Sequence, residues 1–415
     1  MPNRAHLRAR SSRSGKGGRA YTTESNIADP NSPIHTLAMQ FQQYMCLPDP
    51  TPLYVTMGAV AGNMLTGHPV WLMIIGPSGC GKTFMLESLM LIPRTIRVAS
   101  IKGESALLSG VKKKDRIKDA TGGLLREVAD HGCLVFMDFA SVLEKSYETV
   151  KDLFSAFREI YGGEWSRSIG GEGGQTLHWQ GKAAIIGGVT PAIDRQPEQG
   201  RALGERFLYY RYPLTEGYQE SMCAANVTHP TDDIVQMRLA VDGMFAGLGL
   251  EFGKERERKE LGLADRDRIV GIAQLGSRAR SVIPRDSYSK EVIDVPAVEV
   301  GTRMSQELTQ LWLGMKEIGV SEAEAWTAVE RVAMDSMPLG RKLVLEAIEG
   351  GVGAAVAIAR KVRVSESAAK RAVEDLHLLG LVKRGSQGQE WVVSEWVKDR
   401  VGKETGRGED MCGNG

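Results

Sequence analysis

Eight consecutive residues carry the clearest chemistry in this sequence: Gly76-Pro77-Ser78-Gly79-Cys80-Gly81-Lys82-Thr83. They match G-x-x-x-x-G-K-[ST], a loop whose glycines let backbone N–H groups curl around phosphate oxygens. Lys82 is spaced to reach β- and γ-phosphates, and Thr83 to hold Mg²⁺. Before the loop runs Val70-Trp71-Leu72-Met73-Ile74-Ile75, apolar throughout, as a buried parallel strand requires. After it, Thr83 to Met90 has helical spacing, so a bound phosphate would meet the positive end of a helix dipole. Strand, glycine loop and helix together predict a site for ATP and Mg²⁺.

Hydrolysis needs more than a phosphate cradle. Cys133-Leu134-Val135-Phe136-Met137-Asp138 is an apolar strand ending in an acid. Asp138 would share the Mg²⁺ shell with Thr83, or else cap the helix that follows. Ala183 to Val189 is a second apolar strand, and Thr190 at its tip could position the attacking water. Arg206 precedes a last strand, where it would either form a surface ion pair or enter a neighbouring subunit's site to stabilise charge on the γ-phosphoryl group. One group is missing. Phe139 follows Asp138 where a carboxylate would activate water, and the nearest downstream acid is Glu144. General-base help is worth roughly 10²–10⁴-fold, so its loss could turn a hydrolase into a switch.

These residues must be held by a parallel sheet with crossover helices. Segments 70–75, 95–99, 133–138, 183–189 and 206–212 read as its strands, with helical stretches between. The division expected is a disordered basic arm over 1–33, a core over 34–213, a helical unit over 214–335, a compact unit over 336–400 and a disordered tail over 401–415. Pro48, Pro50 and Pro52 interrupt the helical entry segment. The mixed charges from Lys254 to Glu260 read as a solvated helix face.

Composition sets outer bounds. The 415 residues suffice for about two or three domains. A hydrophobic share of 42% and a charged share of 25% are those of a globular protein. The net charge of +1 gives no global pull toward nucleic acid, so such a surface must be local. No apolar run reaches membrane-spanning length, and the basic N-terminus lacks an apolar signal segment. Five scattered cysteines form no C-x-x-C pair, which suits a reducing cytoplasm rather than a zinc site or disulfide framework.

The last unit has its own pattern. Pro338 to Ile348, Ala354 to Val362 and Ser365 to Leu379 read as three helices, the third capped by Ser365. Gly380 to Val393 reads as strand, glycine turn, strand. Three helices and a hairpin wing resemble a winged helix-turn-helix, in which the third helix enters the major groove. That resemblance puts Ser367, Lys370 and Arg371 against DNA, with Lys383 and Arg384 on the wing. The alternative is a protein contact.

The series of P-loop, acid strand, polar strand tip and arginine resembles the AAA+ ATPases, within them the branch of the minichromosome-maintenance helicases. Ala202-Leu203-Gly204-Glu205-Arg206-Phe207 is similar to that branch's arginine-finger segment. Residues 162–182 resemble its pre-sensor β-hairpin, which points into a ring's central pore. There Arg167 would touch DNA, with His178 beside it, and Trp165 and Trp179 would either stack on bases or pack the hairpin's own strands. Lys112-Lys113-Lys114, Arg116 and Lys118 could line the same pore or form a solvated loop. Gly301 to Leu308 looks like the start of a lid helix, with Arg303 as its nucleotide-sensing arginine. The chain is also similar to ATP-binding proteins of phages and actinobacterial mobile elements, as in Thr121-Gly122-Gly123-Leu124-Leu125-Arg126-Glu127. The resemblance implies an α/β fold: an AAA+ parallel-sheet P-loop core with a pre-sensor hairpin, a helical lid and a C-terminal winged helix-turn-helix. It implies a cytoplasmic homo-oligomeric ring, helicase-like or initiator-like. A non-hydrolysing, ATP-gated DNA-binding regulator is the other reading of the same residues.

Overall fold

The computed structural model describes residues 31–45, 47–109, 121–170, 174–195, 206–213, 234–286, 288–294, 298–386 and 390–401. Most of the basic arm, the lysine run at 112–114 with Arg116 and Lys118, the hairpin turn at 171–173, residues 202–205 and nearly all of the tail lie outside them.

Two helices lead into the core. α1 (Pro33–Gln42) starts where Ser32 accepts a bond from the His35 N–H. α2 (Thr51–Asn63) starts where Asp49 accepts from the Thr51 N–H at 2.9 Å. Pro50 and Pro52 bracket this start, positions where a missing N–H costs nothing. Twelve of the thirteen residues of α2 are buried. It crosses α10 (Thr302–Glu317) through glycines: a Cβ on Gly314 would lie 2.1 Å from the Gly58 carbonyl.

Among the described residues five strands form one parallel sheet: β1 (Leu72–Ile75), β2 (Thr95–Val98), β3 (His131–Phe136), β6 (Lys182–Val189) and β7 (Leu208–Arg211), in the order β2-β3-β6-β1-β7. The register pairs Ile75 with both Val189 and Arg211. The central strands are apolar on both faces because helices cover both. Leu72 and Ile74 join one core with α1, α2 and α10, while Trp71, Met73 and Ile75 join the other. That second core is closed by α5 (Leu124–Val128), α7 (Tyr147–Tyr161) and the antiparallel hairpin of β4 (Glu164–Ile169) and β5 (Gln175–Gln180). Short helices α3 (Lys82–Glu87), α4 (Glu104–Leu107) and α6 (Ala140–Leu143) complete this half.

The second half is helical: α8 (Ile234–Leu248), α9 (Leu263–Arg280), α10 and α11 (Glu322–Asp335). Then come α12 (Leu339–Glu349), α13 (Ala355–Val362) and α14 (Glu366–Leu378), the two-stranded β8 (Val382–Arg384) and β9 (Trp391–Val393), and α15 (Glu395–Val401). They enclose a third core.

The charged run at 254–260 is not a helix face. It is an irregular segment, bridged at Arg256 to Leu65, and three of its charges are paired with distant elements. Glu255 meets Lys182 at 2.9 Å, and Arg256 and Lys259 both meet Glu317. The mixed signs serve several partners in turn, which charge spacing alone does not distinguish from a solvated helix.

Candidate nucleotide-binding site

The glycine loop turns sharply where its sequence requires. Gly79 and Gly81 have φ of +83° and +85°, and a Cβ at Gly79 would point into open space. The loop is fixed at its entry, since Gly76 donates to the Val189 carbonyl at 3.1 Å and Tyr212 to the Ile75 carbonyl at 2.8 Å. A side chain at Gly76 would collide with Cys80 Sγ at 2.6 Å. Lys82 Nζ lies inside the loop, donating to the Gly76 and Pro77 carbonyls at 2.6 and 2.7 Å. Phosphate oxygens are stronger acceptors for an ammonium than these carbonyls. Burial pushes the Cys80 thiol up, against the opposing pull of Lys82. Ser78 and Thr83 are exposed.

The acid strand ends two residues earlier than its sequence suggests, at Phe136. Asp138 lies beyond it, exposed, and its Oδ1 accepts from the Ala140 N–H at 3.0 Å to begin α6. One carboxylate oxygen therefore caps a helix. Phe139 turns the other way. Its N–H donates to the Gly188 carbonyl at 2.7 Å, and its ring is fully buried against Phe136, Phe157 and Phe207. Glu144 is exposed at the end of α6.

Gly188 joins the two halves of the site, a role that sequence reasoning missed. A Cβ there would sit 3.8 Å from Lys82 Cβ, 3.0 Å from Leu86 Cδ1 and 3.1 Å from the Met137 carbonyl. The signal available was Gly187-Gly188 within an otherwise apolar strand, which marks a close approach of other chain. Because β6 lies between β1 and β3, Thr190 at its tip stands between the glycine loop and Asp138.

Arg206 and Arg303 are not brought to this edge. Arg206 precedes β7, whose first residue pairs with Leu72, so it lies at the amino end of the sheet. Phe207 packs on Trp71 there, with ring centroids 5.1 Å apart, and Trp71 stands edge-on to Tyr161 at 5.2 Å. Tyr161 in turn donates to Glu307 Oε1 at 3.0 Å, one turn after Arg303 on α10. Burial holds the Tyr161 hydroxyl well above its usual range, and the charges of Arg303 and Arg206 act against that rise. Burial likewise pushes Glu307 up to about 7, opposed by Arg280, Tyr161 and Arg303. A cavity of about 340 Å³ opens beside them, lined by Glu299, Val300, Thr302, Arg303 and Gln306.

The hairpin tryptophans pack. Trp165 and Trp179 face each other across the strands, each 6% exposed, and Trp179 Nε1 donates to the Ala129 carbonyl at 2.7 Å. Arg167 is committed to Glu104 at 2.9 Å and the Leu108 carbonyl at 3.1 Å, which fastens the hairpin to α4. His178 remains exposed, against Ser166.

In the last unit, Ser367, Lys370 and Arg371 are exposed on the first turns of α14. Arg384 stacks on Trp391, 3.9 Å from the ring centroid, and Lys383 pairs with Glu395 at 3.1 Å. Arg360, Lys361 and Arg363 extend the same basic run from the end of α13 and were not singled out in the sequence. Only their place in the turn before α14, where Arg363 has φ of +57°, distinguishes them from ordinary surface charge. Asp375, one turn after Arg371 on α14, binds Arg285 at 2.5 Å and Arg341 at 3.0 Å.

Among the described residues no group of three or more His, Cys, Asp or Glu could hold a metal ion, and no helix is long and apolar enough to cross a membrane. Thr83 and Asp138 are both exposed, so a Mg²⁺ shared by them would take its remaining ligands from water and a nucleotide's own oxygens, the way this ion is usually bound beside phosphates. No family model matches the sequence, and no curated protein is similar to it. Among solved structures the chain is similar to a full-length MCM homolog from Methanopyrus kandleri, at 12% identity and a TM-score of 0.38, over 76% of this chain and 64% of that one. It is also similar to a candidate ATPase from Cytophaga hutchinsonii, at 10% identity and a TM-score of 0.39, over 80% of this chain and 96% of that one. The chain thus spans under two thirds of the length of the MCM homolog.

Proposed function

We propose that this chain is an AAA+ ATPase that acts on DNA as a homo-oligomeric ring, in replication or maintenance of a phage or mobile element. The observation that supports it best is the split of the chemistry between the two ends of one parallel sheet. Lys82, Thr83, Asp138 and Thr190 gather at the carboxyl end, around a loop built for phosphates. Arg206 and Arg303 gather at the amino end, beyond the length of β1, about 13 Å at 3.3 Å per residue. A site divided in this way is completed by the next copy in a head-to-tail ring.

In this reading the loop amides and Lys82 hold the β- and γ-phosphates. Thr83 and Asp138 hold Mg²⁺, which neutralises charge on the phosphate oxygens. Thr190 orients the attacking water, and Arg206 and Arg303 of the neighbouring copy face the γ-phosphoryl group. Phe139 takes no proton, so Glu144 or solvent must. Residues 336–400 act as a winged helix-turn-helix that grips duplex DNA through Ser367, Lys370, Arg371 and Arg384. Residues 214–335 act as the lid. The test is ATP turnover with and without DNA, with Lys82→Ala as control; DNA-stimulated turnover lost in that variant supports the reading.

The burial of Phe139 favours a second reading, an ATP-gated DNA-binding regulator that does not hydrolyse. ATP binding that needs Lys82, with sequence-selective DNA binding and no turnover, would select it.

A further inference from the structure

Glu307 is a buried acid that the nucleotide chemistry does not use. It is 0% exposed on α10, one turn after Arg303 and on the same face. Its Oε1 accepts the Tyr161 hydroxyl at 3.0 Å, while Oε2, also buried, has no hydrogen-bond partner among the described residues. The groups facing it are Tyr161 from α7, Arg303 from its own helix, Arg280 from α9 and Glu299 from the segment entering α10. Arg280 is already bidentate to Glu299, at 2.8 and 2.6 Å.

Tyr161 is the last residue of α7, and the chain enters β4 after only Gly162 and Gly163. Gly163 has φ of +92°, and its carbonyl accepts from the Gly181 N–H at 2.9 Å, closing the root of the hairpin. One hydrogen bond thus ties the helix that carries Arg303 to the base of the β4–β5 hairpin. A half-satisfied buried carboxylate favours any arrangement that brings a donor to its second oxygen. The guanidinium on the same helix face is that of Arg303.

We propose that Glu307 is a positioning residue with two settings: held by Tyr161 alone while Arg303 faces outward, or paired also with Arg303 turned inward. Arg303 thereby passes its state to the root of the hairpin. This rests on the reading of Arg303 as a group that meets a neighbour's phosphate. With phosphate present, Arg303 is drawn out and the Tyr161 bond holds hairpin and helix together. With phosphate gone, Arg303 turns in to Oε2 and shares the carboxylate with Tyr161, which weakens the Tyr161 bond without breaking it.

Hydrogen exchange on the full chain tests this, comparing wild type, Tyr161→Phe and Glu307→Gln with and without a non-hydrolysable ATP analogue. Tyr161→Phe should speed exchange in both 164–169 and 302–306, without nucleotide, by several-fold. Glu307→Gln keeps an acceptor for Tyr161, so the hairpin should stay protected, but the change on adding the analogue should vanish. The proposal is overturned if Tyr161→Phe loosens neither segment or only one, or if Glu307→Gln responds to the analogue as wild type does. A wild-type chain that binds no analogue would instead sink the nucleotide reading, and the Tyr161→Phe comparison, which needs no nucleotide, would still decide the tie.

Discussion

The Phe139 backbone donates to the Gly188 carbonyl at 2.7 Å, and this bond turns the residue after Asp138 into the core instead of toward the glycine loop. The absent carboxylate is therefore a consequence of chain direction as well as of residue type. Phe139→Glu should not create a general base. It would bury a carboxylate among Phe136, Phe157 and Phe207 and cost about 3–5 kcal/mol for the lost ring alone. Urea unfolding checks the loss, and turnover above the wild-type rate in this variant would refute the placement.

Gly188→Ala tests the joint between the glycine loop and the acid. The new methyl would meet Leu86 Cδ1 at 3.0 Å and the Met137 carbonyl at 3.1 Å. Separating α3 from the end of β3 should cost about 1–3 kcal/mol and weaken ATP binding. Calorimetry on the variant should show reduced affinity; unchanged affinity would mean that Lys82 and Asp138 do not act on one ligand.

Both residues show what the sequence conveyed and what it withheld. The glycine loop and its flanking strand were legible because phosphate binding fixes residue type at fixed spacing. Strands β1, β3 and β6 were legible because strands buried on both faces are largely apolar without alternation. The early end of β3 at Phe136 was not, since Met137 is as apolar as the residues before it. Nor was the pairing of Arg167 with Glu104, which lie 63 residues apart. Arg303 beside Tyr161 was hidden for the same reason, because long-range contacts leave no local period.

Glu307 should make stability depend on pH. Burial raises it from 4.5 to about 7, so between these values the folded chain keeps a proton that the unfolded chain releases. Its contribution is full below pH 4.5, falls as pH rises through that window, and is lost above about 7. Glu307→Gln, which stays neutral, should remove this slope and be no less stable than wild type at pH 8. Denaturation midpoints across pH 5–8 check it, and an unchanged slope would exclude Glu307 as its source.

Asp335 is fully buried and accepts from the Arg211 N–H at 2.7 Å, with Lys342 also bound to it. Asp335→Ala would strand these donors and should cost about 3–5 kcal/mol. A loss below about 1 kcal/mol in chemical denaturation would show that water replaces the carboxylate.

Lys370→Ala and Arg371→Ala test the basic face of α14. Removing one cation that neutralises a phosphate should flatten the slope of log affinity against log salt by about 0.9. Titrations of duplex DNA at several salt concentrations measure it. Unchanged affinity and slope would assign this face to a protein partner.

The split of the site across the sheet makes the most direct test a mixing experiment. Lys82→Ala and Arg206→Ala should each lack ATP turnover when pure. Mixed in equal amounts, they should recover it, because about a quarter of randomly formed head-to-tail interfaces would pair an intact loop with an intact arginine. Recovery in the mixture is the predicted result. Two inactive variants that stay inactive together, while still assembling with each other, would contradict a site completed by the neighbouring copy.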